Sequence, residues 1–260
     1  MSYETDALLG NHRCAKQSLL YRVSKHLRSD LDPTHGDLVL LFCYVITGLL
    51  DSSAVLVWGS FVSMQTGNTV YFGLGLFGTR DDRWIRSGVS IAGFCLGSWC
   101  FATFHRVFPA RRRWVLCASF LAQTLCVGLA ASIVTIHRPA QGAPLNWLVL
   151  VPVALIAFQS SGQAVTSRVL NFTGLTSVVL TSTYCDLFSH PDFFSTKLVG
   201  HAEEMRRIGA ILCLLVGVVL GGFWAHSDVE MMGALWTAVI MKSMIVGAWL
   251  VWSGKMEDTE

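Results

Sequence analysis

Charge is scarce in this sequence. Asp, Glu, Lys and Arg account for 14% of its 260 residues, whereas soluble domains carry about a quarter. Val115–Ile136, Leu145–Ser167, Ile208–Ala225 and Ser87–Phe104 contain no acid or base at all. A soluble fold would interrupt such runs every few residues, so that class is excluded. The net charge of +2, with no continuous basic patch, excludes nucleic-acid binding. The cysteines at 14, 43, 95, 100, 117, 126, 185 and 213 form no CxxC pair and have no histidine at ligand spacing. Most lie in apolar runs, where cysteine acts as a small hydrophobe, so neither a metal site nor disulfides are expected. HExxH, GxSxG, a P-loop and a usefully spaced carboxylate pair are missing too. No catalytic residue, metal or cofactor is therefore expected, and the chain does not read as an enzyme. His190 and His201, near Asp192, Glu203 and Glu204, fit a solvated loop. The polar first 36 residues lack the form of a cleavable signal peptide.

What is present is hydrophobicity, 53% of residues, in stretches long enough for a hydrocarbon core of roughly 30 Å. The predicted spans are Leu38–Phe61, Ser87–Phe104, Val115–Ile136, Asn146–Ser167, Ile208–Ala225 and Gly233–Trp252. The fold class is an all-α polytopic membrane bundle of about six transmembrane helices plus two short broken or re-entrant ones. Residues 1–36 form a polar tail, 37–136 a first membrane repeat and 137–145 a short loop. Residues 146–253 form a second repeat and 254–260 a tail. Within the first tail, His12–Leu31 suits either an amphipathic helix on an anionic membrane face or a solvated segment. Glu4–Leu9 has the shape of an acidic dileucine sorting signal.

Tryptophans 58, 114, 147, 224 and 252 sit at span ends, as an aromatic belt would place them. Pro152 predicts a kink. Gly93/Gly97 and Gly217/Gly221 form GxxxG pairs suited to close helix packing, and so also to a homo-oligomer. Basic residues predict the orientation. With six spans and a cytoplasmic N-terminus, the inner face holds the basic tail, Arg106, Arg111–Arg113, Arg168, Lys197, Arg206, Arg207 and Lys255. The outer face holds only Arg80, Arg83, Arg86 and Arg138. Both termini are thus expected in the cytoplasm, with plasma membrane and vacuolar-type organelle membrane both open. The sequon Asn171-Phe-Thr173 would lie inside and stay silent.

Two segments are too short to span. Gln65–Thr69 leads into Val70–Gly78, and Asn171–Thr176 into Ser177–Leu187. Each half then reads long span, polar break, short stub, charged loop, GxxxG span, final span. Three full spans per half is an odd number, which predicts two inverted three-span repeats, a transporter architecture.

The motif Gly48-Leu-Leu-Asp51 with Met64-Gln-Thr-Gly-Asn-Thr69 resembles the GxxD…TGNT signature of the YoaK-like family of uncharacterised membrane proteins (domain of unknown function 1275). Phe158-Gln159 and Val179-Leu-Thr-Ser-Thr-Tyr-Cys-Asp-Leu187 resemble its second-half signature in a fungal-type form. The likeness covers about residues 36–253. It implies a multi-span membrane protein of no established activity. Thr181-Ser182-Thr183 stands where bacterial relatives more often carry Thr-Gly.

Unwound backbone at a helix break exposes polar groups, and a stub's start presents the positive end of a helix dipole. Asp51, Gln65, Thr66, Gly67, Asn68, Thr69, Gln159, Thr181, Ser182 and Thr183 are therefore the candidate substrate-binding residues. The alternative is that they only satisfy the backbone of the breaks. Asp51 and Lys242 lie mid-span, where a charge must pair or face water, so an intramembrane Asp51–Lys242 pair is expected. Arg168 and Asp186 flank the second break. The leading functional expectation is a secondary transporter or permease for a small polar or anionic solute within the lipid bilayer. The rival is a non-transporting scaffold or assembly partner whose breaks are structural.

Overall fold

A computed structural model describes residues 21–22, 24–78, 81–138, 145–191, 193 and 200–252. The dileucine pattern, the start of the amphipathic segment, Arg80, Asp192, Lys197 and Lys255 lie outside the described residues. Among those described, the chain is helical: α1 (Gly36–Trp58), α2 (Gln65–Leu76), α3 (Arg83–Val107), α4 (Arg113–His137), α5 (Trp147–Val169), α6 (Thr181–Phe188), α7 (Ala202–Ala225) and α8 (Glu230–Val251). All but α2 and α6 are long and apolar enough to cross a membrane, which makes six candidate spans. At 1.5 Å per residue their 22–25 residues reach about 35 Å. Helix is the form in which a lipid-embedded backbone satisfies its own polar groups. Pro152 is accommodated inside an unbroken α5. The first span ends three residues earlier than its apolar run suggests, because Gly59 turns left-handed (φ 71°) and donates back to Val55 O.

Helix directions follow from side-chain contacts. α1 and α7 run parallel: Asp37 meets Arg206, Gly48 packs on Val218, and Gly221 packs on Ser52. α3 and α5 are also parallel, with Gly93 at Ala154 and Gly97 at Phe158. α4 and α8 are antiparallel: Arg113 donates to Leu250 O (2.7 Å), Lys242 meets Gln123, and Trp236 meets Thr135. α1 and α5 are antiparallel, Gly36 lying near Leu170 and Cys43 near Gln163. Were α2 and α6 to cross as well, α4 and α8 would run parallel, as would α1 and α5. The short helices therefore return the chain to the face it left.

α1 and α5 are the most enclosed spans, α3 and α7 the least. The glycines explain the tight pairs. A Cβ on Gly217 would stand 2.1 Å from Val45 O, and one on Gly221 2.4 Å from Leu49 O. On the other pair, a Cβ on Gly97 would stand 2.3 Å from Phe158 O and one on Gly93 2.7 Å from Ala154 O. Both GxxxG faces are thus filled by the chain's own helices. The homo-oligomer expected through them has no free glycine face to use. Trp58 is likewise not a belt residue: it is buried in the core beside the first break.

At one face, residues before α1 strap the bundle together. Trp252 Nε1 donates to Asp32 O (3.0 Å), His26 Nε2 meets Leu250 O (2.8 Å), and Leu31 N donates to Arg111 O (2.9 Å). The buried Arg113 side chain caps the last carbonyls of α8, as a cation at a helix C-terminus should.

Adjacent glycines give a direct test. Gly221→Ala forces a backbone collision and should lower the melting temperature of the purified protein by several degrees or abolish folded yield. Gly222→Ala, with nothing within 4 Å of its Cβ, should be neutral or stabilise by about 0.5–1 kcal/mol through helix propensity. Equal effects of the two would overturn this packing assignment.

Candidate functional site

The first break, residues 59–64, is organised by groups from four helices. Asp51 is 5% exposed. Its Oδ1 accepts from Val62 N (2.8 Å) and Ser63 N (2.9 Å), and its Oδ2 accepts from the Ser63 hydroxyl. Asp51 lies eight residues before Gly59 on α1, so the chain dips back about 12 Å to meet it. Asn68, fully buried, clasps Phe61: Oδ1 accepts from Phe61 N (3.0 Å) and Nδ2 donates to Phe61 O (2.8 Å). Nδ2 also reaches Gln65 Oε1 and Ser90 Oγ, each at 3.0 Å. Ser90 Oγ donates to Phe61 O (2.8 Å), Arg86 Nη1 to Trp58 O (2.8 Å), and Ser160 Oγ to Val62 O (3.0 Å). Gly67 fits against the Phe61 ring, and Gly75 lets α2 lie on Trp84. Thr66 and Thr69 face out of the bundle, Thr69 Oγ1 donating to Gln65 O (2.8 Å).

The second stub is fixed differently. Thr183 is buried near the Tyr44 hydroxyl, which reaches Gly174 O at 3.5 Å. Thr181 and Ser182 are exposed. Ions hold its far side. Arg207 bridges Glu204 and Asp186, and Arg206 pairs with Asp37 (2.7 Å) over the Phe172 ring (5.2 Å). Asp186 thus pairs with Arg207 of α7, and Arg168, at the other flank of the break, is exposed.

A third cluster lies between the stubs, where α1, α4, α5 and α8 meet. Lys242 is 0% exposed; its Nζ donates to Gln123 Oε1 (2.8 Å) and sits 5.6 Å from the Phe120 ring centre. Among the described residues, no carboxylate is within ion-pair distance of it. Gln123 Nε2 rests on Gly162, where a Cβ would come within 2.7 Å. Gln159 and Gln163 share that face of α5. Gln163 Nε2 donates to Cys43 O (3.4 Å). Antiparallel packing then sets Thr47, one turn past Cys43, level with Gln159. Gln123 Nε2, Gln163 Oε1, Thr47 Oγ1 and both amide atoms of Gln159 are buried without a hydrogen-bond partner.

The candidate residues therefore separate. Asp51, Gln65, Gly67 and Asn68 build the first break, and Thr183 seats the second stub. Thr66, Thr69, Thr181 and Ser182 face outward. Gln159 alone of the set belongs to the central cluster. The expected Asp51–Lys242 pair does not form: three donors from the break saturate the carboxylate, and Lys242 turns to Gln123. Gln123, Thr47, Ser63 and Ser90 were not anticipated. Gln123 was visible as the one amide within Val115–Ile136, but a single glutamine carries no partner in its sequence neighbourhood.

Six long apolar helices, two non-crossing stubs and a buried polar layer define a polytopic helical membrane protein. Residues 39–248 match the family model described as "Protein of unknown function (DUF1275)", and the chain belongs to that family. The membership agrees with the resemblance carried by Gly48–Asp51 and Met64–Thr69. No curated protein and no solved structure matches it.

Removing the Asn68 clasp leaves the Phe61 N–H without its acceptor and weakens the hold on its carbonyl in a water-poor interior. Each such loss costs roughly 1–3 kcal/mol, so Asn68→Ala should destabilise the detergent-purified protein by about 2–4 kcal/mol. Thr66→Ala, at an outward position, should change stability by less than about 0.5 kcal/mol. Similar losses from both would contradict the assigned roles.

Proposed function

We propose that this protein is a secondary transporter or permease for a small polar or anionic solute, built from two inverted halves and carrying out no catalytic step. One observation carries the reading. A buried layer with a cation that meets no carboxylate among the described residues, and with several unpartnered polar groups, lies where helices of both halves converge, beside a break that re-enters the bundle. Sealed polar residues with nothing to bind are expensive inside a membrane and mark solute paths.

The arrangement of contacts supports two related halves. Exchanging α1–α4 with α5–α8 turns the α1–α7 pair into α5–α3, α2–α3 into α6–α7, and α4–α5 into α8–α1. The α4–α8 and α1–α5 pairs map onto themselves. In each half, two glycines four residues apart meet two carbonyls four residues apart: Val45 and Leu49 in one case, Ala154 and Phe158 in the other. That register matches Asp51 with Ser160, one residue beyond Gln159. The breaks follow α1 and α5, which run in opposite directions. An exchange axis in the membrane plane accounts for this, and rocking of one half against the other would open the central layer to each side in turn.

The scaffold alternative is favoured by the first break, whose polar groups largely satisfy one another. Two measurements separate the readings. In liposomes, protein with Cys43 as its sole cysteine should react with a small membrane-impermeant thiol reagent over minutes, because opening exposes that buried residue. A panel of polar and anionic solutes should include at least one whose flux falls more than about tenfold in Lys242→Met. Folding should survive that change, since it removes an unpaired buried charge at the loss of one hydrogen bond, to Gln123. A scaffold leaves Cys43 inert until denaturation and moves no solute. For orientation, the face holding the strap also carries Arg106, Arg111, Arg112, Arg206 and Arg207, which supports a cytoplasmic assignment for both ends. Cysteine placed at 112 should label from the cytoplasm and at 82 from outside; labelling of both from one side would overturn it.

A further inference from the structure

We infer that Lys242, Gln123 and Gln159 form a binding site for a small monovalent anion. The argument starts from charge. A buried ammonium with no counter-charge carries a desolvation cost of several kcal/mol, and among the described residues no carboxylate lies within ion-pair distance of Lys242. Asp51 is held by the first break. Asp37, Asp186 and Glu204 are held by Arg206 and Arg207 at one face. One cation without an acid calls for one negative charge brought from outside.

Hydrogen-bond capacity points to the same place. An ammonium has three N–H donors, and Gln123 Oε1 accepts one of them. That bond aims the Gln123 Nε2 donors away from Lys242 and onto Gly162. Gln159 precedes Gly162 by three residues, which puts it on the adjoining face of the same helix. Both of its amide atoms are buried and unpartnered, so its NH2 keeps two N–H donors uncommitted. Cationic and amide N–H donors in one water-poor layer make the environment that a partly dehydrated anion requires. Gly162 is what leaves room for the Gln123 amide. Phe120 closes one side of Nζ, and Cys43 of α1 lies near it as well. A single positive charge in a dry layer matches a small monovalent anion such as a halide, nitrate or a one- or two-carbon carboxylate. A divalent anion would leave a charge uncompensated.

This assignment rests on the transport reading only for what the anion does, not for its binding. The test uses the full chain in detergent, in sodium gluconate, whose anion is too large for the site. Chloride, nitrate, formate and acetate are titrated separately, with sulfate and acetamide as controls. At least one monovalent anion should raise the melting temperature saturably, by roughly 2–6 °C at concentrations far above its dissociation constant. A response to chloride or nitrate alone identifies an inorganic ligand, and one to formate or acetate a carboxylate. Lys242→Met should abolish the response, Lys242→Arg should keep it, and Gln159→Leu should weaken apparent affinity about tenfold. The site is overturned if no monovalent anion shifts the wild type, or if Lys242→Met responds as the wild type does. Absence of the shift together with Cys43 opening and solute flux would remove the anion assignment and leave transport standing. A shift together with an inert Cys43 and no flux would keep the site and remove transport.

Discussion

A backbone that leaves its helix inside a bilayer must find a partner for every exposed N–H and C=O, because no water is there to supply one. The break at residues 59–64 meets this constraint, and much of the surrounding arrangement follows from it. Asp51 reaches two backbone N–H groups, Asn68 takes both polar groups of Phe61, and Ser160 and Arg86 take the carbonyls of Val62 and Trp58. These partners come from α1, α2, α3 and α5, so the break can exist only once those helices are packed. In turn it places the start of α2 well inside the bundle and returns the chain to the face that α1 had reached.

Close helix approach is the second condition. Gly217 and Gly221 lay α7 directly on the backbone of α1, and Gly93 and Gly97 do the same for α3 on α5. With those pairs fixed, α1 and α5 are enclosed and their polar residues are forced inward. In membranes, small residues are the means of such contact because lipid provides little hydrophobic drive between helices. Gly162 serves a related purpose deeper in the bundle, where its missing side chain is the space that the Gln123 amide occupies.

The two breaks and the central layer differ in chemistry. The first break holds one carboxylate, bound by its own loop, and the Arg86 guanidinium on Trp58 O, and the second is tied by ion pairs at one face. Between them Lys242 has an amide and an aromatic ring as neighbours and, among the described residues, no carboxylate within ion-pair distance. A buried cation carries a desolvation cost that an answering charge or hydrogen bonds must offset. Here the neighbouring groups are dipoles, several of which have hydrogen-bonding capacity left over.

Much of this was legible in the residues alone. Run length and the scarcity of charge determined a six-span helical protein, since a hydrocarbon core sets span length directly. Glycine and polar residues at Gln65–Thr69 and 171–183 marked both interruptions, because a helix break needs such residues locally. Asp51 and Lys242 stood out because mid-span charge is costly wherever it points. Which partners those charges take was decided only in three dimensions. Asp51 meets a loop eleven and twelve residues onward, while Lys242 meets Gln123 across 119 residues of chain. Helical periodicity can place a side chain on a face, but the face opposite it is set by how the helices pack. For the same reason the outward turn of Thr66, Thr69, Thr181 and Ser182, and the convergence of Gln123 with Gln159, belong to the tertiary structure.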